Sequence, residues 1–143
     1  RQMCIRDRNN ELHVTSTHYD DQIALDLVRG SQRTVAIHGC EGNESVAYIG
    51  GSDDRLIELI TESLEDIGIS VREAPHHISG TQENNIVNMT QTQGGVQLEL
   101  TAQLRKELFK NRKSSRKNRE NKDNWDDLMY DFADAMKKAI ERA

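Results

Sequence analysis

The chain has 143 residues, the size of one domain, with 35% hydrophobic and 30% charged residues and a net charge of −5. A membrane-spanning protein is excluded because no apolar run approaches the roughly 18 residues that a bilayer requires. Two cysteines argue against a disulfide scaffold and suit a reducing compartment.

The negative charge is unevenly distributed along the chain. Residues 105–122 carry nine basic and two acidic side chains, whereas residues 1–104 and 123–143 are both acidic. A basic block of this density is usually a solvated segment and sometimes an anion-binding one. Its richness in Asn, Ser, Lys and Arg predicts disorder or a loosely held helix. The low aromatic content, 4%, gives no separate support for a nucleic-acid-binding arm.

The first eight residues, RQMCIRDR, resemble the translation of a sequencing-library transposon end, of the kind found at the ends of metagenomic contigs. We therefore treat residues 1–8 as foreign and expect a single truncated domain over residues 9–143, with its N-terminal part missing and a basic insertion at 105–122.

Strand and helix patterns alternate along the rest of the chain. In chain order, they predict a strand over residues 11–16, a helix over 20–29, strands over 33–37 and 45–49, a helix capped by Ser52 and ended by Gly68, a strand over 69–72, a long loop over 74–93, a strand over 95–101, and helices starting at Leu104 and Asp126. This alternation is typical of the α/β class. It predicts a mixed, mostly parallel, twisted sheet covered by helices on both faces.

The C-terminal helix has one apolar face, which we interpret as core packing rather than a partner-binding groove. That face comprises Trp125, Leu128, Met129, Phe132, Met136 and Ile140.

His38 is the first candidate functional residue. It follows the apolar run 35–37, so it is placed at the end of a buried strand, and Gly39 permits a sharp exit. Ligands of open α/β sheets bind beyond such strand ends, where an imidazole can be a metal ligand, a base or an electrophile. A histidine hydrogen-bonded at the rim of the core is the structural alternative, and the local pattern leaves both open.

Glu99 is the second candidate. Strand alternation places Val96, Leu98 and Leu100 on one face of their strand, and Gln97 and Glu99 on the other. In a central strand this carboxylate is buried, and a buried carboxylate often marks a site. In an edge strand it is merely solvated, so the sequence leaves this alternative open as well.

Three sequence blocks resemble a known family when taken in order. They are LHVTSTHYD at residues 12–20, VAIHGC at residues 35–40, and NIVN at residues 85–88 followed by GVQLEL at 95–100 and Leu104-Arg105. Their order and spacing are similar to the poly-γ-glutamate hydrolase family of phages and prophages. The resemblance covers roughly residues 11–105 and the C-terminal helix. The basic stretch 105–122 has no counterpart that we can align.

The resemblance implies a zinc carboxypeptidase-like fold and one catalytic zinc ion (Zn2+). His38 matches one zinc-binding histidine and Glu99 the general base, whereas the family's N-terminal His-Gly-Gly motif, which supplies two further ligands, has no match. The fragment is therefore expected to bind zinc poorly and to be inactive alone. Met89 also replaces a family arginine, which puts substrate contacts around that loop in doubt.

Zinc would polarise the scissile amide and activate water, and Glu99 would accept the water proton. A polyanionic substrate also needs cations and amide donors, for which Arg105, Gln97, Asn85 and Asn88 are the candidates. The resemblance implies poly-γ-glutamate or a related γ-glutamyl substrate as partner. From the composition, we expect neither a membrane nor nucleic acid as partner. We expect a monomer that is cytoplasmic in the producing cell and acts outside it after lysis, if it is phage-encoded.

Two other functions remain open at this stage. One is a non-catalytic α/β binding domain in which His38 and Glu99 are structural. The other is a phage protein that binds nucleic acid through the basic segment, with an affinity that falls steeply with salt.

Overall fold

A computed structural model describes residues 14–143. Residues 1–8, predicted to be foreign, and residues 11–13 of the first predicted strand lie outside the described residues. Residues 14–16 complete that prediction but form no strand. Instead, the backbone N–H of His18 donates to Thr15 O at 2.9 Å, and Thr17 N donates to Thr15 Oγ1 at 3.4 Å. These local bonds favour a turn, so the predicted strand is wrong over these residues.

A four-stranded mixed sheet lies at the centre of the described chain, in the order β1-β4-β2-β3. Its strands are β1 (Val35–Cys40), β2 (Val46–Gly51), β3 (Ser70–Glu73) and β4 (Val96–Thr101). β1 runs parallel to β4 and β2 parallel to β3, and the two pairs meet through the antiparallel contact of β2 with β4. The predicted α/β class with a mixed sheet is therefore confirmed.

Helices occur near the four positions where the sequence pattern predicts them, and one further short helix lies in the basic stretch. They are α1 (Gln22–Gly30), α2 (Asp54–Asp66), α3 (Ala102–Glu107), α4 (Arg116–Arg119) and α5 (Asp127–Arg142). The predicted N-cap of α2 is wrong by one residue. The side chain of Asp53, rather than Ser52, accepts a hydrogen bond from the backbone N–H of Leu56 at 3.0 Å. That bond satisfies one of the free amides of the first turn.

Helices α2 and α5 contact each other and cover one face of the sheet. The core between them includes Leu56, Leu59, Ile60, Leu64, Leu98, Phe132 and Met136, all at most 8% exposed. The predicted apolar face of α5 is wrong at Ile140, which is 43% exposed, because Ala135 and Ala139 occupy the buried positions near the end of the helix.

The predicted long loop covers the other face of the sheet. It contains the short 3-10 helices His76–Ile78 and Ile86–Asn88, and α1 contacts the second of these. Close approach of the loop requires glycine in β2, because a Cβ added to Gly50 would lie 2.1 Å from the carbonyl oxygen of Ser79. The loop is therefore seated directly on the sheet.

The basic stretch 105–122, predicted to be disordered or a loosely held helix, contains short helices rather than disorder. After α3 it forms the 3-10 helix Lys110–Arg112 and the short helix α4, and the chain then enters the 3-10 helix Lys122–Asn124. Within residues 14–143, none of the helices has the length and apolar character needed to cross a bilayer.

Candidate functional site

The pairing of β1 with β4 places His38 and Glu99 side by side. The two residues are register partners, so their side chains project from the same face of the sheet. Both line a cleft of about 310 Å³ between the sheet and the loop. The predicted position of His38 at a strand end is wrong, since the pairing continues to Cys40 and Thr101 and leaves His38 inside β1.

Glu99 is buried, with 8% exposure, because β4 is flanked by β1 and β2. The predicted alternation is confirmed. Val96 and Leu98 are fully buried on the helix-covered face, while Gln97 and Glu99 line the cleft on the other. Of the two alternatives left open by the sequence, the structure shows the central strand and the buried carboxylate.

Burial raises the pKa of Glu99 above its ordinary value, since desolvation disfavours the charged carboxylate. The positive potential of His38, a hydrogen bond from Gln97 and the charge of Arg105 act in the opposite direction but do not cancel this effect. A carboxyl group with a raised pKa is suited to exchanging protons closer to neutral pH than an ordinary glutamate.

A chain of amide groups orients the Glu99 carboxylate. Asn85 Nδ2 donates to Gln97 Oε1 at 3.2 Å, and Gln97 Nε2 donates to Glu99 Oε1 at 3.3 Å and to Ile78 O at 3.2 Å. Asn85 and Gln97 were predicted as substrate contacts. The structure places both in the cleft lining, where their amides also fix one oxygen of Glu99.

Arg105 lies outside this cleft. Its guanidinium donates to Leu100 O at 3.2 Å and to Cys40 O at 3.0 Å, and it lies 2.8 Å from where a Cβ on Gly39 would be. Successive residues of a strand face opposite sides of the sheet, so Gly39 and the Arg105 guanidinium lie on the face opposite to His38 and the cleft. The sequence indicated Arg105 as a candidate cation for the substrate, but Arg105 lies in α3 and its side chain contacts the helix-covered face.

Asn88 also lies outside the cleft lining, because its side chain is used to hold the loop. Its Nδ2 donates to Gly80 O at 2.7 Å and to Gln82 O at 3.0 Å, and its Oδ1 accepts from Gly95 N at 3.2 Å. The side chain is 5% exposed. Asn88 thus supports the loop that forms one wall of the cleft.

The structure adds His77 to the cleft lining, together with the hydroxyl-bearing residues Thr15, Ser16 and Thr17. The sequence offers His76 and His77 as adjacent histidines that would point apart on an extended chain. They lie instead in a 3-10 helix, which turns His77 toward the side of His38. No local pattern signals this, since it depends on the path of the loop over the sheet.

A catalytic zinc ion typically takes three protein ligands. Within residues 14–143, no group of three or more His, Cys, Asp and Glu residues is arranged to hold a metal ion. His38 is suited to be one ligand, but the described donors do not form a complete zinc site by themselves.

The family model for poly-γ-glutamate hydrolase matches residues 3–135. The chain belongs to the poly-γ-glutamate hydrolase family. Its four-stranded sheet and flanking helices match a solved bacteriophage poly-γ-glutamate hydrolase with a TM-score of 0.86 at 32% identity, over 94% of this chain and 64% of that one. A zinc-free structure of YndL matches with a TM-score of 0.83 at 27% identity, over 93% of this chain and 65% of that one.

Two proteins of Bacillus subtilis strain 168 are similar in sequence to this family member. The SPbeta prophage-derived protein YoqZ is 36% identical over 102 residues, covering 70% of this chain and 37% of YoqZ. YmaC is 31% identical over 141 residues, covering 94% of this chain and 56% of YmaC. The chain thus spans between about a third and two thirds of the length of these relatives.

Proposed function

We propose that this chain is part of a zinc-dependent hydrolase that cleaves γ-glutamyl amide bonds in poly-γ-glutamate, with Glu99 as general base and His38 as one zinc ligand. The observation that carries the proposal is the pairing of His38 with a buried Glu99 on one wall of a cleft. A buried carboxylate is costly, and such groups are concentrated at functional sites, which favours a catalytic over a structural role.

Glu99 would act on water held in the cleft. Its carboxylate accepts a proton from the water as the oxygen attacks the amide carbonyl carbon, and the same proton passes to the nitrogen as the carbon–nitrogen bond breaks. The hydrogen bond from Gln97 holds one carboxylate oxygen in place during both transfers. Asn85 is the partner that orients Gln97 for this task.

Zinc would supply polarisation of the amide carbonyl. Because the described residues offer too few ligands, we propose that the remaining ligands come from outside residues 14–143 and that the 143-residue chain is inactive alone. The prophage origin of YoqZ supports a phage-associated role, in which a monomeric enzyme acts on the polymer outside the producing cell after lysis.

The test uses a chimera in which residues 14–143 replace the matching part of the bacteriophage hydrolase. With added zinc, we expect it to shorten poly-γ-glutamate, measured by size-exclusion chromatography and by the appearance of primary amines. Glu99→Gln should lower the rate by at least about 100-fold, the usual contribution of a general base. Glu83 is an exposed glutamate of the loop that covers the same face of the sheet. Glu83→Gln is therefore the matched control and should leave the rate unchanged.

Circular dichroism establishes that each chimera is folded before its rate is compared. A folded Glu99→Gln chimera with full activity would refute the role of Glu99. The chain itself provides a separate check, since hydrolysis by the 143-residue protein with zinc would refute the proposal that it is inactive alone. His38→Gln should abolish the weak zinc affinity of the chain, measured by competition with a chromogenic chelator.

A further inference from the structure

The basic segment, residues 105–122, presents an unneutralised positive surface. All nine of its lysine and arginine side chains are exposed. The ion pairs among the described residues all lie elsewhere, as in Arg72 with Glu44 and Arg142 with Glu62. The positive charges are therefore available to an external anion.

The basic segment is held in place by the residues that follow it. Trp125 Nε1 donates to Arg119 O at 2.8 Å, and Asn124 Nδ2 donates to Asn118 O at 2.9 Å. Lys110 Nζ donates to Asp123 O at 3.2 Å. These bonds fix the turns of the segment, so its charges form a defined surface rather than a mobile arm.

A groove of about 390 Å³ lies at the base of this surface. Its lining combines apolar side chains with cations: Leu100, Leu108, Phe109 and Met129 with Lys106 and Arg119. An apolar floor below a cationic rim suits a ligand that carries both hydrocarbon and anionic groups.

The groove is close to the cleft of the candidate site but on the other face of the sheet. Arg105 lines the groove and also donates to the carbonyl oxygen of Cys40, two residues beyond His38 in β1. The carboxyl ends of β1 and β4 thus separate the two sites.

We propose that this groove is a second binding site for poly-γ-glutamate, which retains the polymer while the cleft acts on it. Each repeat of that polymer carries a free α-carboxylate for the cationic rim and main-chain methylene groups for the apolar floor. The proposal rests on the proposed substrate. Nucleic acid fits less well, because single strands are bound by stacking bases on aromatic rings. The groove lining contains one aromatic ring, Phe109, while Trp125 packs against Tyr130 and is covered by Lys122, whose Nζ lies 5.5 Å from its ring centre.

The test measures binding of end-labelled poly-γ-glutamate to the full chain by fluorescence anisotropy. The double variant Lys106→Gln/Arg119→Gln removes two rim charges and should weaken binding about tenfold, as expected for the loss of two exposed charge contacts. Ser114→Glu places a carboxylate in the groove lining and should weaken binding as well. Lys137→Gln/Lys138→Gln on α5 makes the same change in net charge and should have little effect.

Equal weakening by the groove variants and the α5 control, or no binding of the polymer by the unaltered chain, would overturn the proposal. Tighter binding of single-stranded DNA or RNA of equal charge would assign the surface to nucleic acid instead. Binding requires no turnover, so this result is independent of catalysis. Polymer bound in the groove but never cleaved by the chimera would refute the proposed hydrolysis alone, whereas cleavage without groove binding would refute this inference alone.

Discussion

Leu98 and Ile37 provide a matched test of the sheet that carries the candidate site. They are register partners on the helix-covered face, yet Leu98 in the central strand is fully buried and Ile37 in β1 is 55% exposed. Leu98→Ala should lower the free energy of unfolding by about 3 kcal/mol, since it removes a buried side chain and leaves a cavity. Ile37→Ala should cost about 1 kcal/mol, because less than half of its side chain leaves water on folding.

The measurement is urea unfolding followed by circular dichroism, with the dependence of free energy on urea unchanged in both variants. For a domain of this size, Leu98→Ala should also lower Tm by roughly 10 °C. If Ile37→Ala proved as destabilising as Leu98→Ala, the strand order would be refuted, because the structure places Ile37 in the edge strand β1, where its side chain is 55% exposed.

Three further predictions concern residues around the site. Folding raises the pKa of Glu99, so the ionised carboxylate destabilises the folded state at neutral pH. Glu99→Gln should therefore raise Tm at neutral pH. The increase in Tm should become smaller as the pH falls through the pKa of Glu99 in the folded state. Asp53→Ala removes the N-cap of α2 and should lower the free energy of unfolding, measured in urea, by about 1 kcal/mol. Asp53→Asn should retain most of the stability, because an asparagine side chain can also cap the helix. Asn88→Ala leaves buried backbone groups of the loop unpaired and should lower the free energy of unfolding by about 2 kcal/mol. Hydrogen exchange should become faster only at amides of the loop, whereas a core defect would speed exchange in the sheet as well.

The sequence predicted the α/β class and the face of Glu99, because both depend on local periodicity. Alternation in residues 95–101 directs Leu98 to one side and Glu99 to the other whatever the neighbouring strands are. The same reasoning failed for His38. The sequence pattern ends its strand at Ile37, where the apolar run ends, but backbone pairing with β4 extends the strand to Cys40.

The remainder of the site could not be predicted because it depends on contacts between distant segments. Asn85 and Gln97 were identified as polar candidates, but their hydrogen bond to each other requires the loop to fold back on β4. Arg105 was identified as a candidate substrate contact, but its hydrogen bonds to Leu100 O and Cys40 O depend on the position of α3 against β1. The sequence therefore predicts which side chains are polar or charged, but it does not predict which groups they bind in the folded protein.

The strand order also has a consequence for how the chain folds. β4 is the last strand in sequence but lies between β1 and β2, so neither of those strands is completed until β4 is inserted. Contacts between β1 and β4 span the whole of β2, α2 and β3, which makes their closure a slow, long-range event. His38 meets Glu99 in that same event. A partly folded chain that has only its β2–β3 unit and α2 therefore contains part of the hydrophobic core but not the candidate site, and insertion of β4 completes both.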